Sequence, residues 1–275
     1  MLMLLLALHP AQAAKNLNVE QSQLIEAPAA VVWQYVANFE TWKDWTVWNT
    51  ERDPEAEWTY GGEAGKAGHS SEWAGKELGK GRMVATEVEP EAVWNYDLYF
   101  GSSARSYPGG LTLEESDGTT LVTWSWNMKM SGLGKALFGN RVADKVAQDF
   151  AGGLDGLELA VEAAWAADQK AQLEAALAEK KAASEAASAA LAEAETAATA
   201  AEEARALAEG LAAKARGTKA KVEAQAALGT ATEAAQEASK AVTAAKAAAA
   251  AADKALEEAQ AALQALKADA AQPQE

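Results

Sequence analysis

The stretch Gly118-Thr119-Thr120-Leu121-Val122-Thr123-Trp124-Ser125-Trp126-Asn127-Met128-Lys129 carries the pattern on which the fold turns. Successive side chains of a strand point to opposite faces. Val122, Trp124, Trp126 and Met128 therefore share one face, and Thr123, Ser125, Asn127 and Lys129 share the other. An antiparallel sheet with one apolar and one wet face produces this alternation. A slip of one residue would turn both tryptophans to water, so the register is strongly specified. Downstream the period changes. Phe138, Val142, Val146, Phe150, Leu154, Leu157 and Val161 step by three or four, an apolar helical stripe of about six turns. A one-sided aromatic sheet followed by a long apolar helix is an α+β layered fold. Gly152, Gly153 and Gly156 interrupt the stripe and each weakens a helix by ~1 kcal/mol relative to Ala. They either mark a break or let a bound group approach the backbone.

Upstream, the same parity count yields further strands. Leu17 to Glu26 has strand character, and Ala27-Pro28 stops it. Pro28 suits the first position of a helix over Ala29–Ala37, where Val32, Trp33 and Val36 share a face. A second short helix is expected over Phe39–Trp45. Gly61, Gly62, Gly65, Gly68, Gly75, Gly79 and Gly81 then punctuate short alternating runs. Trp58 and Tyr60 share a face; so do Val84, Thr86 and Val88; so do Trp94, Tyr96, Leu98 and Phe100; so do Leu111 and Leu113.

Composition divides the chain near residue 165. The chain has 10 Trp, 5 Tyr and 4 Phe, all at or before Trp165. Of the 110 residues that follow, 49 are Ala. The organisation expected is an apolar segment 1–14, a packed domain 15–165 and an Ala-rich helical tail 166–275. The formal charge of −16 argues against a nucleic-acid binder, which needs a basic face, and against adhesion to an anionic membrane. With no Cys there is no disulfide, thiolate nucleophile or Cys-ligated metal site. Met1 to Leu8 is apolar and Ala11-Gln12-Ala13 has the form of a cleavage site, though without the usual basic start. A cleaved export signal, an anchor remnant and an ordinary apolar helical turn are the three readings. The first places the protein in the cell envelope or outside the cell; otherwise it is cytoplasmic. The run is too short for a transmembrane helix, which needs ~20 residues.

Glu26-Ala27-Pro28-Ala29-Ala30-Val31-Val32-Trp33 followed by Trp42-Lys43-Asp44-Trp45 resembles the opening of the START-like, or SRPBCC, superfamily, in its polyketide cyclase/dehydrase branch. Ser71–Gly75, Gly79-Lys80-Gly81, Glu89-Pro90 before Trp94–Leu98, Gly118–Trp124 and Phe150–Leu157 continue the resemblance in order, over about residues 17–162. It implies a helix-grip fold: a curved antiparallel sheet wrapped on a long C-terminal helix, with an apolar cavity between. It also implies binding or carriage of a small hydrophobic molecule, lipid- or polyketide-like; some members are cyclases or dehydratases. The inward set by parity is Trp58, Tyr60, Trp73, Trp94, Tyr96, Phe100, Trp124, Trp126 and Met128 on strands, with Phe138, Phe150 and Leu154 on the helix. Aromatic side chains of this kind line apolar ligand sites; they equally fill cores.

No catalytic residue, metal site or cofactor is assigned. His69-Ser70-Ser71-Glu72 are adjacent, but a triad is set by geometry and not by sequence neighbours. Asp97, Glu72, Arg82 and Arg105 are the groups available for acid, base or clamp, and Asp97 faces outward by parity. Glu114-Glu115 and Asp53/Glu55/Glu57 have the form of solvated edges. The stretch 61–68 has no Lys-Ser/Thr partner and so is no P-loop; it is expected as a loop over the cavity mouth.

The tail has the composition of a helical hairpin. In its second arm Leu228, Ala235, Val242, Ala249, Leu256 and Leu263 repeat by seven, with Ala231, Ala238, Ala245, Ala252, Ala259 and Leu266 three residues after each. In the first arm the stripe expected is Ala183, Ala190, Ala197, Ala204 and Leu211, with Ala187, Ala194, Ala201 and Ala208 between. Arg216-Gly217-Thr218 is the expected turn, with Gly210 and Gly229 as rivals. The function expected is thus non-enzymatic binding of a small hydrophobic ligand. The alternatives are a cyclase- or dehydratase-type enzyme of the same fold, or an interaction protein that self-associates through 166–275.

Overall fold

The computed structural model describes residues 15–130 and 132–269, with side chains over 17–129 and 139–268. The apolar segment 1–14, and with it the export signal, lies outside the described residues. The chain divides into two compact units, 1–166 and 167–275. Among the described residues no helix is long and apolar enough to cross a membrane.

The first unit holds seven strands: β1 (Lys15–Ile25), β2 (Glu57–Gly61), β3 (Ser70–Ala74), β4 (Lys80–Glu89), β5 (Val93–Phe100), β6 (Ser106–Ser116) and β7 (Thr119–Met130). They form one antiparallel sheet in the order β1-β7-β6-β5-β4-β3-β2. Two helices, α1 (Ala29–Val36) and α2 (Trp42–Trp45), lie between β1 and β2 in sequence. Because β1 and β2 are the two edge strands, the segment from Glu26 to Ala56 has to cross the sheet from edge to edge. The first part of α3 (Gly132–Lys214) closes the unit. This is an α+β helix-grip arrangement, and the pairing of β7 fixes its register. Leu113↔Val122, Leu111↔Trp124 and Gly109↔Trp126 pair on one side, Val19↔Trp126 and Leu17↔Met128 on the other. Val122, Trp124 and Trp126 are buried, as the alternation requires, while Leu121 on the opposite face is 38% exposed.

Three local expectations are corrected. Pro28 is the residue before α1, not its first residue; its backbone is still extended, with ψ 149°, and its carbonyl accepts from the Val31 and Val32 N–H groups. The second helix is shorter than expected, beginning at Trp42, because Phe39 to Thr41 form turns tied by the Thr41 hydroxyl to the Tyr35 and Asn38 carbonyls. In β4 the face Val84/Thr86/Val88 does not form. Ala85 is the buried residue, opposite Tyr96, and the register then jumps so that Val88 opposes Trp94. Three steps on β4 against two on β5 is one extra residue, a β-bulge, which reverses the parity and returns Val88 to the core.

The glycines of the long helix neither break it nor face a guest. A Cβ on Gly156 would overlap the Trp45 carbonyl oxygen, and one on Gly153 would lie 2.8 Å from the Trp124 ring. Their missing side chains let the end of α2 and the central tryptophan of β7 press onto helix backbone. Phe150, Leu154, Leu157 and Val161 then complete the core with Val122 and Trp124.

In the second unit the remainder of α3 and α4 (Thr218–Asp269) form the two arms. The turn falls where expected, with Gly217 at φ +89°, a left-handed conformation that favours glycine. The α4 stripe is as expected, with Ala235, Ala249 and Leu263 buried. In α3 half of the expected stripe holds, since Ala187, Ala194, Ala201 and Ala208 are partly buried, and the other half is displaced by one residue. Ser184, Leu191, Ala198, Arg205 and Ala212 are partly or fully buried, and Ala183, Ala190, Ala197, Ala204 and Leu211 are exposed. In an Ala-rich helix two adjacent stripes are almost equally apolar, so hydrophobicity cannot choose between them. A polar contact lies on the buried one: Ser184 Oγ meets Asp253 Oδ1 at 2.6 Å.

Two glycine substitutions with opposite outcomes test this account. Gly156→Ala should destabilise the first unit by about 1–3 kcal/mol, the Trp45 clash outweighing better helix propensity. Gly210→Ala, with nothing within 4 Å of the new Cβ, should stabilise the second unit by about 1 kcal/mol. Denaturant unfolding, followed by Trp fluorescence for the first and helical circular dichroism for the second, reads both.

Candidate functional site

A cavity of about 290 Å³ lies between the β2–β5 half of the sheet, the Glu26–Ala56 crossing and α3. Trp58 and Tyr60 on β2, Ser71 and Trp73 on β3, Met83 on β4, and Tyr96, Leu98 and Phe100 on β5 line it, with Trp126 on β7. Phe39, Trp42, Thr46 and Trp48 line it from the crossing, and Val146, Asp149 and Phe150 from α3. Cross-strand pairs such as Trp58↔Trp73 and Tyr60↔Ser71 bring these side chains together. Tyr96 lies flat over the facing strand because its partner is Gly109, where a Cβ would sit 2.8 Å from the phenol oxygen.

Of the parity-selected residues, Trp58, Tyr60, Trp73, Tyr96, Phe100, Trp126 and Phe150 are in the wall. Trp94, Trp124, Met128 and Leu154 are not. Trp94, Trp124 and Leu154 face inward but meet packed side chains in place of space, and Met128 is half-buried against the same core. Trp124 stacks on Phe150 at 4.1 Å and 4°, and Trp94 meets Trp33 and Phe39 edge-on. The Phe138 side chain lies outside the described residues. Parity alone missed the crossing, although Trp42, Trp45 and Trp48 at three-residue spacing were its visible signal. It also missed the charged members Lys43, Arg52, Glu77 and Asp149.

The wall is polar at a few places. The Trp124 indole N–H donates to the Tyr96 hydroxyl at 3.0 Å. Burial pushes the Tyr96 phenol well above its ordinary 10.0, against the smaller opposing effect of that donation. Burial also raises the Tyr60 phenol, helped by the nearby Glu40 and Asp44 carboxylates. The Tyr60 hydroxyl and the Trp126 indole N–H are buried without a protein partner. Asp149, 8% exposed, is held by Lys145 one turn before it and by Arg52 at 3.5 Å. The exposed members Lys43, Arg52, Glu77 and Phe100 mark the mouth.

The other sequence candidates have structural roles. His69 is buried; its Nε2 accepts the Phe39 N–H at 3.1 Å, so Nδ1 carries the proton it donates to the Gly61 carbonyl at 3.0 Å. Both ring nitrogens are thus occupied by backbone, and the ring stacks on Phe39. Glu72 and Arg82 are register partners on the outer face, and Arg82 lies 3.8 Å over the Tyr99 ring. Asp97 and Arg105 are absent from the wall. Residues 61–68, expected over the mouth, do not line the cavity either; Gly65 and Gly68 are tied by their N–H groups to the Ala37 and Ala85 carbonyls. Asp53 is not a solvated edge, whereas Glu114, Glu115, Glu55 and Glu57 are exposed as expected. Glu115 accepts the Ala29 N–H at the start of α1. Asp53 is buried and accepts the Glu77 and Leu78 N–H groups at 2.8 and 2.9 Å, which hold its pKa below the ordinary 3.8. Asp53 therefore positions the β3–β4 turn whose Glu77 and Leu78 enter the wall.

An aromatic cavity gripped between a seven-stranded antiparallel sheet and a long helix defines the helix-grip class of α+β proteins. The chain belongs to the polyketide cyclase / dehydrase and lipid transport family, which residues 16–162 match. No curated protein matches the chain significantly. Solved structures similar to it include protein CV1439 from Chromobacterium violaceum (12% identity, 53% of this chain and 97% of that one, TM-score 0.40). Protein SA2116 of unknown function from Staphylococcus aureus is similar at 11% identity, covering 55% and 96%, with TM-score 0.45. TTHA0849 from Thermus thermophilus is similar at 20% identity, covering 54% and 98%, with TM-score 0.41.

Two titrations check the site. Tyr96 and Tyr60 should ionise after the other three of the five tyrosines in a spectrophotometric titration. The folded pKa lies above the unfolded one, so the stabilisation is complete below about pH 10 and falls as pH rises beyond it. Tyr96→Phe, which leaves the Trp124 N–H buried without an acceptor, should destabilise by about 1–3 kcal/mol. Asp53 acts in the opposite direction: its contribution is present above pH 3.8 and is lost as pH falls through its lowered value. Asp53→Ala should therefore flatten the acid limb of the stability profile.

Proposed function

We propose that residues 16–162 bind a small hydrophobic molecule in the aromatic cavity, without turning it over. The observation that carries this is a space of about 290 Å³ left open inside an otherwise packed aromatic core. Protein interiors are close-packed, and voids much larger than a water are few. Here five tryptophans, Trp42, Trp48, Trp58, Trp73 and Trp126, border the same opening. Large rigid rings around a partly open space expose apolar surface that a guest would remove from water. The family description, which includes lipid transport, supports the same reading.

An enzyme of the same fold is the second reading, and Asp149 is the observation that favours it. It is the one buried carboxylate in the wall among the described residues. Its pairing with Arg52 and Lys145 satisfies the charge, which suits a structural ion pair better than a free base. The helical second unit serves, in the same proposal, as a spacer or partner-binding arm.

Native mass spectrometry of the full chain tests the binding reading. One extra small mass per chain, lost on denaturation, is the expected result. Added hydrophobic compounds should also change the Trp fluorescence, and Trp73→Ala should weaken their binding about tenfold or more. A clean apo mass together with unchanged fluorescence across fatty acids, sterols and aromatic compounds would refute it.

A further inference from the structure

One hydrogen bond behind the cavity wall can be broken by a single proton, and its consequence for a guest rests on the binding reading above. His69 on β3 is 2% exposed, and Phe39 on the crossing is 1% exposed. The Phe39 N–H donates to His69 Nε2 at 3.1 Å, and Nδ1 donates to the Gly61 carbonyl at 3.0 Å. A neutral imidazole has one ring nitrogen that accepts; an imidazolium has none, since both nitrogens then carry a proton. Protonated at Nε2, the ring would set one N–H against the Phe39 N–H, donor facing donor.

The surroundings offer a cation little in exchange. Phe39 stacks on the ring at 5.2 Å, and Trp94 of β5 lies at 6.2 Å. β2 meets the ring through the Gly61 carbonyl, and β4 meets the His69 backbone through the Ala85 N–H. The ionisable groups on the crossing and the 61–68 loop are Glu40, Glu63 and Lys66, all exposed, where water screens their charge. Glu72 and Arg82 are register partners on the outer face of β3 and β4. Tyr60 on β2 and Tyr96 on β5 have phenols raised above their ordinary 10.0, so both stay neutral. A buried cation without a carboxylate partner is costly. The Phe39 face attracts a cation, but it supplies no lone pair for the Phe39 N–H.

Phe39 connects this contact to the cavity, which it borders. Its ring meets Trp42 at 5.1 Å and Tyr96 at 6.2 Å, and both of these also line the space. Its carbonyl accepts the Trp42 N–H at the start of α2. A shift of Phe39 is therefore passed by direct contact to the wall on the crossing and on β5.

We propose that His69 is a proton-operated clamp on the cavity wall: neutral, it holds Phe39 in place; protonated, it releases Phe39 and weakens guest binding. Affinity is then full above the pH range in which the ring takes its proton, and falls as pH drops through that range. The test titrates the full chain with N-phenyl-1-naphthylamine, an uncharged fluorescent apolar probe, between about pH 8 and about pH 5. NMR follows the His69 ring and the Phe39 amide in the same samples, with only His9 and His69 to distinguish. Affinity should fall by about tenfold or more, and the Phe39 amide should shift with the same midpoint as the ring. His69→Gln puts a carbonyl oxygen that does not titrate near the place of Nε2, and Ser70 Oγ at 3.4 Å remains as a donor to the Gly61 carbonyl. This variant should bind the probe as the unchanged chain does at about pH 8 and keep that affinity at about pH 5. Three results would each overturn the clamp and leave hydrophobic binding in place: a ring that takes no proton by about pH 5, a ring that takes one while affinity and the Phe39 amide hold, or a fall in affinity that persists in His69→Gln. A probe that binds at no pH would overturn both.

Discussion

The indole of Trp124 holds the first unit together. One of its faces stacks on Phe150 of α3 at 4.1 Å. Its edges and remaining surface meet Trp42, Trp45 and Trp48 of the crossing at 5.4–5.6 Å. Its N–H is given to Tyr96 of β5. Sheet, helix and crossing therefore converge on one side chain, and the approach is close enough to require glycine at 153 on the helix. Aromatic contacts of this kind contribute about 0.5–1.5 kcal/mol each beyond the area they bury. The hydrogen bond adds direction, since it fixes where the Tyr96 ring can lie.

The cavity is a consequence of where that convergence happens. Trp124 is on β7, second from one edge of the sheet, while the cavity residues extend along β5, β4, β3 and β2 to the other edge. The helix packs tightly around β7, and space remains beside the far strands. The crossing from β1 to β2 has to pass over that space, because its two ends lie at opposite edges, and it brings Phe39, Trp42 and Trp48 with it. His69 and Asp53 then fix the crossing and the β3–β4 turn through backbone hydrogen bonds. Neither touches the cavity, yet both determine what does.

Charge is kept to the rim of the site and to one buried carboxylate. Asp149 alone would be a costly group to leave inside an aromatic wall. Arg52 from the crossing and Lys145 from the preceding helical turn remove that penalty and tie the crossing to α3. The Tyr60 hydroxyl and the Trp126 indole N–H, also in wall residues, are uncharged and have no protein partner.

Local periodicity was enough to read much of this from the sequence. The alternation at Val122–Lys129 determined the inner face of β7, the three- and four-residue steps from Val142 to Val161 determined the buried side of α3, and the loss of aromatics after Trp165 separated the Ala-rich segment. Arg216-Gly217-Thr218 was the first choice for the turn between the arms, with Gly210 and Gly229 as rivals, and the folded chain turns at Gly217, whose backbone is left-handed. Tertiary structure decided which inward rings meet other rings and which meet space: Trp124 and Trp126 share a face of one strand, yet only Trp126 borders the cavity. It decided that Gly153 and Gly156 accommodate Trp124 and Trp45, that β4 reverses parity at its bulge, and that Ser184 and not Ala183 enters the helical seam. The physical reason is common to all of these. A side chain's face is set by the few residues around it, but what it meets on that face is set by elements tens of residues away, and only the folded chain brings those together.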